Sequence, residues 1–164
     1  MKTKILKLSM LILLFGSIGV SCQKEEEFSD IVEGYIVGTF ICDKIDGENG
    51  QATGNNTKRG FCILLKNSEK TNENWPMDFY SFDIPIDIFD FPNEILEPNH
   101  NSDNGGPNFF PDSFQYKYKF SFEYIKQTES NKVHFVCGSF AMMSPFPWNK
   151  FNQATLRNIN LTNK

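Results

Sequence analysis

Nucleophilic or metal chemistry in this 164-residue chain would have to come from four cysteines and two histidines, and their spacing argues against both. Cys137 follows His134 by three positions; on an extended strand an odd spacing sends two side chains to opposite faces, so they make no nucleophile–base pair. His100 lies in a polar stretch without a sequence partner. No Cys-x-x-Cys is present, and two histidines leave little framework for zinc. A Gly-x-Ser-x-Gly elbow, a phosphate loop, a dinucleotide fingerprint and His-Glu-x-x-His are all missing. Residues 97–112 (EPNHNSDNGGPNFFPD) set Asn99, Asn101 and Asp103 at alternate positions, the hard oxygen donors that calcium takes. Glycine does not fall at the sixth place, nor glutamate at the twelfth, and the composition is that of a surface turn. The chain therefore reads as a non-enzyme, with no catalytic residue, no metal site and no cofactor.

Two features remain that could bind or crosslink. Phe109 and Phe110, followed by Pro111, and Phe146, Trp148 and Phe151 fall between the predicted strands and are pinned by prolines. Flat, rigid rings mixed with Asn and Asp offer large contact area at small entropic cost, which suits a sugar face or a protein partner. Equally, both segments could fold back and plug the ends of the domain. The second feature is cysteine pairing. If the first hairpin closes symmetrically about Ala52, Cys42 faces Cys62 at a separation that a disulfide can span. The alternative is that Cys42, Cys62 and Cys137 are buried free thiols acting as small hydrophobes.

The elements that would position these residues are strands. Residues 33–44 (EGYIVGTFICDK) and 58–66 (KRGFCILLK) are rich in β-branched and aromatic residues and flank the glycine-rich connection 46–56, so they predict a hairpin. Residues 77–84 predict a third strand. Residues 85–96 can hold no more than a helical turn, because Pro85 and Pro92 forbid a long helix. Between 113 and 126, six aromatics from Phe114 to Tyr124 alternate with polar residues, which predicts one long strand with every ring on one face. Residues 132–138 are expected to pair with it as a hairpin, and 154–161 to form the last strand. Strands, a short helical connection and more strands predict an all-β domain: a small five- or six-stranded antiparallel barrel or sandwich, OB-like in type.

Charge and the N-terminus bear on location. The net charge of −4 excludes a basic nucleic-acid binder, which needs clustered Lys and Arg. Lys2, Lys4 and Lys7 precede the apolar stretch 8–20. Its thirteen residues would span about 20 Å as a helix, short of the roughly 30 Å hydrocarbon core, as in a secretory signal rather than a membrane span. Gly19-Val20-Ser21-Cys22 closes this stretch and resembles the processing site of bacterial lipoproteins. Gln23-Lys24-Glu25-Glu26-Glu27 resembles the acidic surface-export signal of Bacteroidota lipoproteins. The resemblance implies that residues 1–21 are a signal peptide and that Cys22 is acylated, with palmitate or a similar chain. Residues 22–30 then form a lipidated acidic tether too charged to pack, and 31–164 a single domain held at the outer membrane, exposed at the cell surface. Removing residues 1–21 leaves 13 basic against 20 acidic groups, a net of −7, so the lipid rather than the domain would do the anchoring. Glycan capture is a common task of such lipoproteins. The expected function is non-catalytic binding of an extracellular ligand, a glycan being the leading candidate, through the aromatic loops; the alternative is an interaction or inhibitor module docking on an envelope protein or enzyme. Replacing Cys22→Ser is expected to move the protein from the membrane to the soluble fraction, read by fractionation of intact cells.

Overall fold

The structure, a computed structural model, describes residues 27–45, 57–96, 105–137 and 146–162. The signal segment, Cys22, the connection 46–56 and the residues Asn99, His100, Asn101 and Asp103 lie outside these. Seven strands form one mixed sheet: β1 (Val32–Lys44), β2 (Thr57–Leu65), β3 (Phe79–Ser81), β4 (Asn108–Phe109), β5 (Lys119–Lys126), β6 (Phe135–Val136) and β7 (Asn152–Leu161). A single helical turn, α1 (Asn93–Leu96), and short 3₁₀ turns fill the connections, as the two prolines around residues 85–92 require. The hydrogen-bonded order is β2-β3-β7-β5-β1-β4, with β2 also paired to β1 and β6 paired to β1.

Four expectations need correction. The sheet has seven strands and is not purely antiparallel, because β3 and β7 pair parallel at Phe79–Asn152 and Tyr80–Gln153. Where that short pairing ends, the Asp83 carboxylate accepts the Leu156 amide at 3.1 Å and stands in for a strand partner. Second, the long strand covers eight residues, Lys119–Lys126, of the fourteen predicted at 113–126. Residues 112–117 form turns, closed by the Phe114 amide on the Pro111 carbonyl at 2.8 Å and the Lys117 amide on the Phe114 carbonyl at 3.1 Å. Pro111-Asp112-Ser113 is strong turn chemistry and overrides the period of two. Tyr118, Phe120 and Phe122 still point inward, at 3%, 0% and 0% exposure, whereas Tyr116 turns outward at 48%. Third, β6 pairs with the end of β1 at Asp43–Val136 and Lys44–Phe135, not with β5. β5 is already occupied by β1 on one side and β7 on the other. Fourth, residues 28–29 are docked rather than loose. Ser29 and Tyr124 exchange hydrogen bonds at 2.9 and 3.0 Å, and the Phe28 ring lies 3.9 Å from the Arg157 guanidinium.

Cysteine pairing follows from the hairpin register. β1 and β2 are antiparallel as expected, but Cys42 stands opposite Lys58 and Cys62 opposite Gly38, with a bulge between Ile36 and Gly38. The Cys42–Cys62 bridge therefore does not form. Cys42 is instead bonded to Cys137, their Cα atoms 4.4 Å apart, while Cys62 is a buried free thiol. Closing a loop of that length constrains the unfolded chain.

Alternation along the strands builds two apolar layers. Ile36, Phe61, Ile63, Phe79, Phe120 and Phe122 face one side, sealed by Phe91, Phe110 and Ile95. Val37, Phe40, Cys62, Leu64 and Tyr80 face the other, covered by Phe146 and Phe151 with Phe135 and Trp148 against them. Strands β1 to β3 are thus buried on both faces, which explains their near-continuous apolar runs. Arg59 ties α1 to this frame, donating to the Leu96 carbonyl at 2.6 Å and to Thr39 Oγ1 at 3.0 Å.

Gly60 is required by close approach: any Cβ there would collide with the Phe40 ring. Gly60→Ala is expected to destabilise the protein by about 1–3 kcal/mol through overpacking, read as a lower denaturation midpoint at unchanged slope.

Candidate functional site

The aromatic loops carried the expected binding role. Phe110, Phe146 and Phe151 are buried, at 5%, 6% and 7% exposure. Phe109 and Trp148 are half-buried and pack against the second apolar layer. Trp148 lies 4.6 Å from Phe40, 5.1 Å from Tyr80, 5.3 Å from Phe135 and 4.8 Å from Phe146 between ring centroids. Its Nε1 donates to the Gly105 carbonyl at 3.0 Å, which satisfies the one polar atom of the ring. Phe146 and Phe151 stack at 5.7 Å. Of these five rings three are buried and two half-buried, all packed against the two apolar layers. Trp75 is the more exposed tryptophan, edge-on to Phe146 at 5.5 Å with the Lys150 ammonium 5.8 Å above it.

An open cleft forms elsewhere, where the start of β5 meets β1 and the end of β7. Its volume is about 670 Å³, and its walls are Tyr35, Phe89, Asp90, Tyr116, Lys117, Tyr118, Lys119, Leu161 and Thr162. The register fixes this grouping: Tyr35 pairs with Lys119, and Leu161 with Phe120. The turn at 112–117 then swings Tyr116 out of the strand line to meet Tyr35 edge-to-face, centroids 5.3 Å apart at 87°. Phe114 lies parallel to Tyr118 at 6.4 Å, and the Lys117 ammonium sits 5.0 and 5.8 Å from those two rings.

The electrostatics of the cleft carry a small positive excess. Glu33 bonds both Lys119 and Lys66 at 2.5 Å, and these two hydrogen bonds hold its carboxyl below the usual range. One carboxylate thus serves two ammonium groups, and the pairing weakens on the acid side as Glu33 protonates. Burial, then the carboxylates of Asp90 and Glu94, push the Tyr118 hydroxyl above the ordinary tyrosine range, so it remains a neutral donor and acceptor. The Tyr118 and Thr162 hydroxyl oxygens are buried without a hydrogen-bond partner.

None of the cleft residues stands out in the sequence as a binding residue. The available signal is Pro111-Asp112-Ser113, turn-forming residues that directly precede the alternation begun at Phe114. Among the remaining candidates, Cys137 is committed to a disulfide, and among the described residues no group of three or more His, Cys, Asp or Glu side chains could hold a metal ion. Compared with protein-family models, curated proteins and solved structures, the chain matches none.

Trp148→Ala is expected to destabilise the domain by about 2–4 kcal/mol, somewhat less than for a fully buried aromatic, because Trp148 is half-buried. The native emission should divide into an iodide-resistant, blue component from Trp148 and a quenchable one from Trp75; equal quenching of both would place Trp148 at the surface instead.

Proposed function

We propose that this protein is a non-catalytic lipoprotein of the cell surface, anchored at the outer membrane through acylated Cys22, that binds an extracellular ligand in the Tyr35–Tyr116 cleft. The binding role passes from the loop rings to this cleft because Tyr116 offers an exposed aromatic face in a concave site. Clefts of about 300–1,000 Å³ with mostly apolar walls and a few polar groups are where small ligands bind. A glycan fits this composition. The scaffold beneath it reads as a small OB-like barrel: the pairings β1–β2–β3–β7–β5–β1 return to their start with β3 and β7 parallel. In a barrel of this type the face of the second and third strands commonly takes the ligand. Here that face is covered by Phe146, Trp148 and Phe151, which supports a site displaced onto β1 and β5.

A protein partner in the envelope is the second reading. Ile31, Tyr116 and Leu161 are exposed at 65%, 48% and 50%, and Tyr116 and Leu161 share the cleft wall. A small-ligand site and a docking face separate by experiment. Tyr116→Ala should weaken ligand binding while shifting stability by no more than about 0.5 kcal/mol, as for surface substitutions. Cross-linking in intact cells that captures one envelope protein through Tyr116, with no saccharide bound by the purified chain, would decide for the partner.

A further inference from the structure

Resting on the reading of the Tyr35–Tyr116 cleft as the binding site, we infer that its ligand is an uncharged, hydroxyl-rich ring of the hexopyranose class, stacked on Tyr116 and hydrogen-bonded by the Tyr118 and Thr162 hydroxyls. Three observations converge on this class. Tyr118 is 3% exposed, yet its hydroxyl has no partner, and the same holds for the Thr162 hydroxyl in the same wall. Native proteins pair nearly all such groups, so two unpaired hydroxyls in one cleft wall point to an external partner.

The chemistry of those groups selects the partner. A hydroxyl both donates and accepts, and its natural complement is another hydroxyl; a carboxylate or phosphate ligand can only accept, an ammonium only donate. Charge narrows the choice further. Lys119 shares Glu33 with Lys66, and the Lys117 ammonium rests over the Phe114 and Tyr118 rings. Asp90, exposed at the rim, supplies one carboxylate able to accept from ligand hydroxyls. Against Lys117 and Lys119, Asp90 and a shared Glu33 leave a small positive excess, which disfavours a cationic ligand; the hydroxyls decide between neutral and anionic ones. Tyr116 supplies the flat face on which the C–H side of a sugar ring lies, with little entropy lost. Both unpaired oxygens are closed to solvent, so their engagement includes a local adjustment of wall side chains.

The test titrates the full chain, purified in detergent, with neutral gluco-, manno-, galacto- and xylo-oligosaccharides. Oligogalacturonate and chondroitin sulfate fragments serve as the charged series. Saturable binding of a neutral series is expected, weakened roughly tenfold by Tyr118→Phe and likewise by Thr162→Val, the loss of one hydrogen bond each. Tyr118→Phe should leave the thermal midpoint unchanged or raise it, because it removes an unpaired buried group; a structural hydroxyl would lower it. Thr162→Val carries the test by itself if Tyr118→Phe fails to fold. Neutral binding that depends on Tyr116 but ignores both hydroxyl variants overturns this inference and leaves the cleft reading intact. Binding of the charged series alone, or of no saccharide, also overturns it. Binding untouched by Tyr116→Ala refutes the cleft reading itself.

Discussion

The seating of the Phe40 ring on Gly60 is the contact from which one whole side of the molecule is assembled. Phe40 projects from β1 over the bare backbone of β2, where no side chain could coexist with it. From that position its ring meets Tyr80 and Phe82 from the third strand region, Phe135 of β6 and Trp148 of the closing segment, with centroids between 4.6 and 6.0 Å. A two-residue strand such as β6 has too few backbone hydrogen bonds to hold itself in place. It stays because Phe135 packs into this cluster and Cys137 is bonded to Cys42 two residues beyond Phe40 along β1. Trp148 is held in turn by four neighbouring rings and by the Gly105 carbonyl. The result is a sheet dry on both faces where β1, β2 and β3 run together.

That arrangement explains which features were legible in the sequence. Local pattern set the long strands: β1, β2 and β7 fall within a residue or two of their predicted spans, since β-branched runs bounded by turn residues leave few alternatives. The prolines at 85 and 92 limited the helical content equally well. Failures came where a choice depended on distant partners. Alternation from Phe114 to Tyr124 is a sound strand signal, yet three turn-forming residues outweighed it locally. Register in the first hairpin turned on where the connection closes: Asp43 pairs with Thr57 rather than with a residue symmetric about Ala52, and the resulting shift of four residues moved Cys62 away from Cys42. Cys137 could not be matched to Cys42 in advance because nothing local links β6 to β1.

The candidate site was hidden for a related reason. Aromatic residues in loops invite a surface reading, but a chain with 17 phenylalanines must bury rings from loops as well as from strands. Once the segment 146–151 covers the outer face of β2 and β3, the remaining uncovered face lies at the start of β1 and on β5. There the outward residues alternate between charge and tyrosine, as Glu33, Tyr35 and Lys119 show. Tyr116 reaches that face only because the strand starts late. The same turn that defeats the simple strand reading thus creates the cleft.

The bond between Cys42 and Cys137 spans 95 positions, and this has a bearing on survival among proteases. Both the glycine-rich connection at 46–56 and the polar one at 97–104 lie inside the covalent ring it closes. A single cut in either leaves one molecule, its two pieces still joined and still packed around the same rings. A break between Cys137 and β7 would instead separate β7 covalently from the rest without reduction. A nicked form would therefore migrate intact on a non-reducing gel and divide only when thiol is added.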